Sequence, residues 1–575
     1  MCNYFFLENL IKKAYYLGNM DRQTIRNLAL QNAVKFNGKA NPGAVIGHIL
    51  GSHPEAKAKM KELAKEVNDI IKEVNKISAE KQREELEKNA PDLLIEKVKE
   101  EKHELKELED VNLKKGVIMR FAPSPSGPMH IGHAITGGLT CLYVKKYGGK
   151  FILRIEDTNS DNIDPAAYDM LPKDAEWIFG NVTDVWIQSD RMKFYYDYVE
   201  KLIDKNAVYV CTCSQEEFKK YTESMTECPC RNLEKREQLT RWKNMFDKKA
   251  FKEGDAVVRF KSDMKDKNPA MRDFPLARIN DSEHPRQKSK YRVWPLMNLA
   301  VTVDDIEAGM THIIRAKDHA DNAKRQEKIF NALGLKYPHS YFTGRYNFEG
   351  LEISCSKTKA KIKEGLFTGW DDIKVPFLVA LKRRGYQPEA FLKYTMLTGL
   401  SPVDKTVPAE EFFKAINSFN KEIIDKKASR YFFVKNPKKI KIKNAPKKDA
   451  EIDMHPDFKE KGKRKLKTSD EFYVEDELEK GKNYRFMHLF NFRNNEFVSE
   501  ELDDRLNAKM IHWLPVSKDL VDVEVMMPDA KTVKGLAESG VKDLKVNSIV
   551  QFERFGFCRL DSIEKGKYKF WFAHR

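Results

Sequence analysis

A chain of 575 residues, 41% of them hydrophobic, holds material for several cores, and domains of about 100–200 residues predict roughly three to five of them. Lysine and arginine outnumber aspartate and glutamate by 103 to 87, a formal net charge of +16, which favours a polyanionic partner, nucleic acid before an anionic membrane. No run of about 18–20 apolar residues occurs, so no membrane-spanning helix is expected. Met1–Leu7 is briefly apolar but is broken by Glu8 and has no basic flank, so it does not read as a signal peptide. Eight cysteines in this length make no disulfide framework and point to a reduced, cytoplasmic setting.

Residues 1 to about 112 read as helical and charged. Met60, Leu63, Val67, Ile70, Ile71, Val74 and Ile77 share one helical face, with Ser52 and Glu55 as a capping box before it. Asn37 to Gly43 reads as a loop, and the Glu/Lys-rich stretch from Lys81 to Asp110 as a solvated helix or a linker. At Gly116 the character changes. Val117–Phe121 reads as a buried strand, Ala122 to Pro128 as a turn, Ile131 to Tyr147 as a helix and Lys150–Ile155 as a second strand, the opening of a parallel α/β domain. Cys211 to about Ser289 looks like an insertion with a strand at Ala256–Phe260. Residues 365 to 420 read as helices. The remainder, from about Lys421, carries short β-rich segments at Tyr431–Val434, Val521–Met526 and Ile549–Phe557, which predict one or two barrels. Between Lys421 and Lys467 there are 17 Lys/Arg and 7 Asp/Glu, so more than half of the net charge lies in this short stretch. Tyr431, Phe432, Phe433 and Phe458 lie among these lysines. They fit base stacking beside a phosphate-binding surface, and each taken singly fits a barrel core.

The strongest local signal runs Arg120-Phe121-Ala122-Pro123-Ser124-Pro125-Ser126-Gly127-Pro128-Met129-His130-Ile131-Gly132-His133, between the first strand and the first helix. Ligands of open α/β sheets bind at such a turn, and the helix N-terminus favours phosphate. Imidazoles at 130 and 133 can donate to phosphate oxygens, while Gly132 leaves room for a nucleotide near the backbone. The string resembles the first class I aminoacyl-tRNA synthetase motif in its glutamyl/glutaminyl form. Arg154-Ile155-Glu156-Asp157-Thr158-Asn159 follows at that subgroup's spacing, and Ile353-Ser354-Cys355-Ser356-Lys357-Thr358 resembles the second class I motif in its archaeal variant. Asn32 to Val45 and Gln551 to Phe557 resemble the N-terminal region and the closing barrel strand of archaeal-type glutamyl-tRNA synthetases, so the likeness spans nearly the whole chain.

The resemblance implies a Rossmann-type parallel-sheet catalytic domain with an α/β insertion, an N-terminal helical region, a helical connector and C-terminal β-barrels. The corresponding divisions are 1–112; 113–345, with an acceptor-stem-binding insertion at about 205–290; 346–420; and 421–575 as the anticodon-binding region. It implies that His130 and His133 stabilise the triphosphate of ATP while the glutamate α-carboxylate attacks the α-phosphorus. Lys357, in a mobile loop with Ser356 and Thr358, would neutralise the departing diphosphate. Gly132 and Arg345 would lie at the ATP site, and Mg²⁺ bound with ATP would share the neutralisation. The 2′-hydroxyl of the terminal adenosine of tRNA(Glu) would then attack the mixed anhydride, with tRNA(Gln) left open as a second acceptor. A monomer or dimer is implied.

Glutamate carries three charges. Glu156 matches the position that holds the α-amino group, and Arg120 and Arg315 match positions that meet carboxylates, with Ser124 and Asn298 beside them. Glutaminyl enzymes of the subgroup lack arginine at the position of Arg315, where a buried guanidinium facing a neutral amide would stay unpaired. Met297 stands where many relatives have tyrosine, Cys355 is uncommon in its motif, and Gly369 to Lys374 departs from the usual Asp-Asp-Pro-Arg run. Cys211, Cys213, Cys228 and Cys230 form paired Cys-x-Cys motifs that can satisfy a structural zinc ion or remain four reduced thiols.

Overall fold

The computed structural model describes residues 22–36, 38–52, 57, 60–90, 93 and 104–575. The chain divides into two compact units, Met1–Lys102 and His103–Arg575.

The first unit contains α1 (Arg22–Lys35), α2 (Pro42–Ser52), α3 (Met60–Val74) and α4 (Ala79–Asn89). The expected apolar face of α3 is realised: Leu63, Val67, Ile70, Ile71 and Val74 are buried against Ile25, Ala29, Leu30 and Ala33 of α1 and Leu86 of α4. Gln82 is also buried, and its Nε2 donates to the carbonyls of Gly38, Val74 and Ile77 at 3.0, 2.9 and 3.2 Å, closing the C-terminal end of α3. The loop assigned to Asn37–Gly43 is shorter than expected. Pro42 opens α2, and Asn41 Oδ1 caps it by accepting from the Ala44 N–H at 3.1 Å. Ser52 ends α2, and Glu55, its expected capping partner, lies outside the described residues.

In the second unit β1 (Val117–Phe121), β2 (Gly149–Ile155) and β3 (Asp184–Ile187) pair in parallel, with α5 (Ile131–Tyr147) crossing between β1 and β2. On the other side of β1 runs the strand His312–Ala316. It is tied to β1 by the Thr311 N–H donating to Ile118 O at 3.0 Å and the Ile118 N–H donating to Thr311 Oγ1 at 2.9 Å. That strand pairs in parallel with His339–Thr343. The chain therefore leaves β1 in both directions, and the C-terminal ends of β1 and His312–Ala316 flank a topological switch point, where such sheets bind ligands. Residues 104–112, assigned above to the N-terminal region, belong physically to this core: Leu105, Leu108 and Val111 pack into it, and Glu109 O accepts from His312 Nε2 at 2.7 Å.

The insertion is a four-stranded antiparallel sheet, Val208–Cys211, Val257–Phe260, Pro275–Ile279 and Val293–Pro295, with the helices Gln215–Ser224 and Lys235–Asn244. The connector holds the expected helices at Leu378–Arg384, Pro388–Thr398 and Ala409–Ile424. It also holds a parallel pair, Tyr346–Glu349 with Lys405–Pro408, that is too short and too exposed to leave an alternation in the sequence. Arg383 joins this connector to the C-terminal barrel. It donates to both carboxylate oxygens of Asp561 at 2.9 and 2.7 Å, lies 4.0 Å over the Trp571 ring and donates to Asp371 at 2.7 Å.

The barrel is a seven-stranded sheet whose outer strands are Ser429–Tyr431 and Phe433–Lys435. These are neighbours in the chain, separated by Phe432 alone, so one kinked segment supplies both edges and nearly closes the sheet. Tyr431, Phe432 and Phe433 are buried, and Phe458 packs edge-on against His455. Tyr431 and Phe433 pack into the barrel core, Phe432 packs on the opposite side among Phe472 and Trp513, and Phe458 is half-buried. The lysines around them stay outside, many in exposed ion pairs such as Lys438–Glu477 at 2.7 Å and Lys441–Asp470 at 3.0 Å, which contribute little to stability.

The β1–β2 register depends on Gly149. Its φ is +113°, and a Cβ there would stand 2.0 Å from the Val117 carbonyl oxygen. Gly149→Ala is expected to destabilise this unit by at least about 2 kcal/mol, seen as a lower midpoint in thermal unfolding followed by circular dichroism; an unchanged midpoint would contradict the close approach.

Candidate active site

Arg120 and Arg154 leave the C-terminal ends of β1 and β2, and Arg315 leaves the end of His312–Ala316; all three are buried. They converge on Asp305, on the helix Met297–Glu307. Arg154 Nη1 donates to Asp305 Oδ1 at 2.5 Å, and Arg120 Nε lies 3.7 Å from the same oxygen. Arg154 also donates to Glu156 Oε1 from Nε at 3.3 Å and Nη2 at 3.1 Å, which fixes the Glu156 carboxylate. Burial pulls the Arg120 guanidinium down to about 10, against Asp305 and helped by Arg154 and Arg315. Burial works against the charge of Arg154 too, yet Asp305, Glu156 and Asp304 outweigh it and hold its pKa above the usual range. Burial disfavours the Asp305 carboxylate, but the three arginines prevail and keep it below the ordinary carboxylate range.

The neighbouring Asp304 anchors the same helix. It accepts from Gln188 Nε2 at 3.0 Å, Arg191 Nε at 2.7 Å and the Tyr195 hydroxyl at 3.0 Å. Arg315 is held differently, by a neutral group: its Nη1 donates to Gln326 Oε1 at 2.9 Å, and Gln326 Nε2 lies 3.4 Å from Asn298 Oδ1. Arg315 Nε and Nη2, Arg120 Nε and Asp305 Oδ2 are buried with no hydrogen-bond partner in the protein. Charged donors and acceptors of this kind are costly to bury unless something completes them.

The histidine pair lies at the N-terminus of α5. His130 is the N-cap, its Nδ1 accepting from the Gly132 N–H at 3.1 Å, and His133 Nδ1 faces the His130 N–H at 3.4 Å. The rings stack with centroids 3.8 Å apart and 20° between planes. Burial takes His133 down to about 4, and burial with repulsion from His133 takes His130 well below the ordinary histidine value. Both rings are therefore neutral near pH 7. Because both Nδ1 atoms accept, the network assigns each proton to Nε2. At Gly132 a Cβ would meet the His130 ring at 3.0 Å.

The second motif is helical. Ser354 caps the helix Cys355–Lys363, and Ser356, Lys357 and Thr358 lie in its first turns, where a mobile loop was expected; the Ser354 cap supplies the helix start. Lys357 is exposed, with its amine 3.5 Å from Glu352. Cys355 docks this helix on the first motif, its Sγ 3.9 Å from Pro128 O, and Lys359 pairs with Asp164 at 3.0 Å. Trp370 and Cys355 press on Gly127, where a Cβ would meet them at 3.0 and 3.2 Å.

Of the residues singled out from sequence, Arg120, Glu156 and Arg315 lie close enough to feel one another's charge and Asn298 is linked to Arg315 through Gln326, while His130, Gly132, His133, Ser356 and Lys357 lie on the two motifs. Ser124 is exposed in the first-motif turn. Arg345 is exposed, its Nε donating to Asp318 at 2.6 Å. Met297 is 39% exposed, whereas Trp294 is buried under a stacked His284 ring. Asp304, Asp305 and Gln326 carry no motif; the available signal for the first two was a pair of adjacent acids between the largely apolar run Leu299–Val303 and Ile306, since such acids are buried only with partners.

In the insertion, the sulfurs of Cys211, Cys213, Cys228 and Cys230 all lie within 4.8 Å of one another. Cys211–Cys228 and Cys213–Cys230 are each 3.9 Å apart. Gln238 sets this spacing by accepting from Val210 N–H and donating to Cys230 O, both at 2.8 Å.

Buried guanidiniums gathered at the switch point of a parallel sheet, beside stacked histidines that cap a helix, have the layout of an α/β ligand-binding site. The model for the catalytic domain of class I tRNA synthetases (E and Q) matches residues 116–426, and two anticodon-binding models of the same group match 428–511 and 510–561. A glutamate–tRNA ligase of Methanocaldococcus jannaschii is 42% identical over 569 residues, covering 96% of this chain and 100% of that protein. Those of Methanococcus maripaludis strain C6 (40% identical, 96% and 100% covered) and Methanothermobacter thermautotrophicus (41% identical, 95% and 98% covered) are similar in the same way. The chain belongs to the class I tRNA synthetases of the E and Q group.

Proposed function

We propose that the chain is a glutamate–tRNA ligase of the archaeal type, activating glutamate with ATP and transferring it to the 3′ end of tRNA(Glu). One observation carries the choice of amino acid: the partnerless buried donors of Arg315 and Arg120. The array sets four guanidiniums (Arg120, Arg154, Arg191, Arg315) against three carboxylates (Asp304, Asp305, Glu156), so one positive charge is left over. Glutamate, with net charge −1, neutralises it. Zwitterionic glutamine would leave a buried guanidinium unpaired, a penalty of about 3 kcal/mol.

In this scheme Glu156, fixed by Arg154, takes the α-ammonium group, while Arg120 and Arg315 take carboxylates, with Asn298 behind Arg315 and Ser124 at the rim. An α-carboxylate oxygen attacks the α-phosphorus of magnesium-bound ATP; the bond to the β-phosphate oxygen breaks, diphosphate leaves and glutamyl-adenylate forms. The Nε2–H groups of His130 and His133 donate to the triphosphate without a charge to desolvate, Gly132 keeps the His130 ring seated, and Lys357 with Ser356 meets the leaving diphosphate. Arg345 approaches the ATP site only on releasing Asp318. The 2′-hydroxyl of the terminal adenosine then attacks the glutamyl carbonyl and AMP departs. The basic surface from Lys421 to Lys467 supports tRNA as the partner. No helix among the described residues is long and apolar enough to cross a membrane, in keeping with work in the cytoplasm, as monomer or dimer.

Purified protein is expected to charge a tRNA(Glu) transcript with glutamate and to exchange labelled diphosphate into ATP when glutamate and tRNA are present; faster charging with glutamine would overturn the assignment. A tRNA(Gln) transcript run beside it decides the second acceptor. The tautomer makes a finer prediction. Gln places its amide N–H where Nε2–H stands and Asn does not, so His133→Gln should lose about tenfold in kcat and His133→Asn about 100–1000-fold. Equal losses would contradict the Nε2–H assignment.

The cysteine cluster fits structural zinc. Zn–S bonds of about 2.3 Å in a tetrahedron put sulfurs about 3.8 Å apart, and the pairs stand at 3.9 Å. Metal analysis of protein purified without chelator should give about one zinc per chain, lost in Cys228→Ser/Cys230→Ser; a wild-type protein free of zinc would leave four reduced thiols.

A further inference from the structure

We propose that Gln326 is a positioning residue for amino-acid specificity, holding Arg315 in place while leaving its charge for the substrate; the inference rests on the glutamate-ligase function proposed above. Gln326 lies on the helix Ala320–Leu333 and is 1% exposed. A guanidinium only donates, so Arg315 Nη1, at 2.9 Å, forces the amide oxygen of Gln326 toward itself. Gln326 Nε2 is then left to donate to Asn298 Oδ1 at 3.4 Å, Asn298 Nδ2 to Asn322 Oδ1 at 3.3 Å and Asn322 Nδ2 to His319 Nδ1 at 3.2 Å. The Arg315 donor thus orients the amides of Gln326 and Asn298, and Asn322 Oδ1 is fixed in addition by Arg325 Nη1 at 3.2 Å.

Among the described residues Arg315 makes no ion pair, although Asp305 is close enough to feel its charge. Asp305 is committed to Arg154 at 2.5 Å and to Arg120 at 3.7 Å. A carboxylate at position 326 would hold Arg315 as firmly, but it would discharge the guanidinium before substrate arrived. A neutral amide aims the side chain and leaves Nε and Nη2 free for a carboxylate. Changing Gln326 to glutamate replaces one NH₂ by an oxygen and leaves the shape of the side chain intact, so it isolates charge from packing.

The test is steady-state aminoacylation of a tRNA(Glu) transcript with glutamate and with glutamine, for wild type, Gln326→Glu and Gln326→Met. Gln326→Glu is expected to lower kcat/KM for glutamate about 100-fold, chiefly through KM, and to leave that for glutamine within about threefold. An unchanged glutamate-to-glutamine ratio, or an equal fall for both amino acids as a structural defect would give, overturns the inference. If Gln326→Glu loses the wild-type melting transition, Gln326→Met decides. It keeps the charge of Arg315 but not its anchor, so KM for glutamate should rise about tenfold with kcat within about twofold, and an unchanged KM overturns the inference. A wild-type enzyme that prefers glutamine would instead overturn the proposed function, whatever the variants do.

Discussion

Asp305 is the point on which the pocket depends. A single buried carboxylate takes the Arg154 guanidinium at 2.5 Å and stands beside that of Arg120, and through Arg154 it fixes Glu156. Without it, Arg120 would have no ion-pair partner in a dry interior and Arg154 would keep only Glu156 and the more distant Asp304, a cost of several kcal/mol. Its backbone comes from a helix anchored independently by the neighbouring Asp304, which accepts from Gln188, Arg191 and Tyr195. The array is thus held from outside the pocket, and its surplus positive charge and free donors belong to the structure before any substrate enters.

The first motif shows the same preorganisation. Stacked histidines at the start of α5 are kept neutral by burial, and both are locked as Nε2 donors because backbone N–H groups occupy or face their Nδ1 atoms. Neutral donors suit an anion that brings its own cation, since no charge has to be stripped of water beforehand. The second motif rests on the first through Cys355 and Trp370 around Gly127. The unusual cysteine of the second motif and the divergent turn after Gly369 therefore meet at one packing contact. Ser356 and Lys357 stay exposed on the first turn of the second-motif helix.

Farther out, the connector is bonded to the barrel through Arg383 and through Arg384, which donates to the Phe572 and Ala573 carbonyls. In the basic segment from Lys421 to Lys467, Tyr431, Phe432 and Phe433 are used in the cores of the fold, so what this segment turns to water is mainly lysine.

By itself the sequence determined the elements whose signals are local. β1 and α5 run over the residues that apolar patterning predicts, the α3 face is the one its spacing shows, and the motif histidines, Glu156, Arg120 and Arg315 are recognisable from their order along the chain. Each depends on neighbours within about a dozen residues, which a linear pattern records. Only the tertiary structure decided that Asp305 sits among three arginines, that Gln326 holds Arg315, and that Tyr431 and Phe433 fill the barrel core while Phe432 packs on the neighbouring β-rich core. It also decided that residues 104–112 strap the catalytic core and that the second motif begins a helix. These depend on contacts between segments far apart in sequence. Asp305 and Arg154 are 151 residues apart, and burial and charge pairing over that distance follow from the packing of strands and helices, which no local pattern encodes.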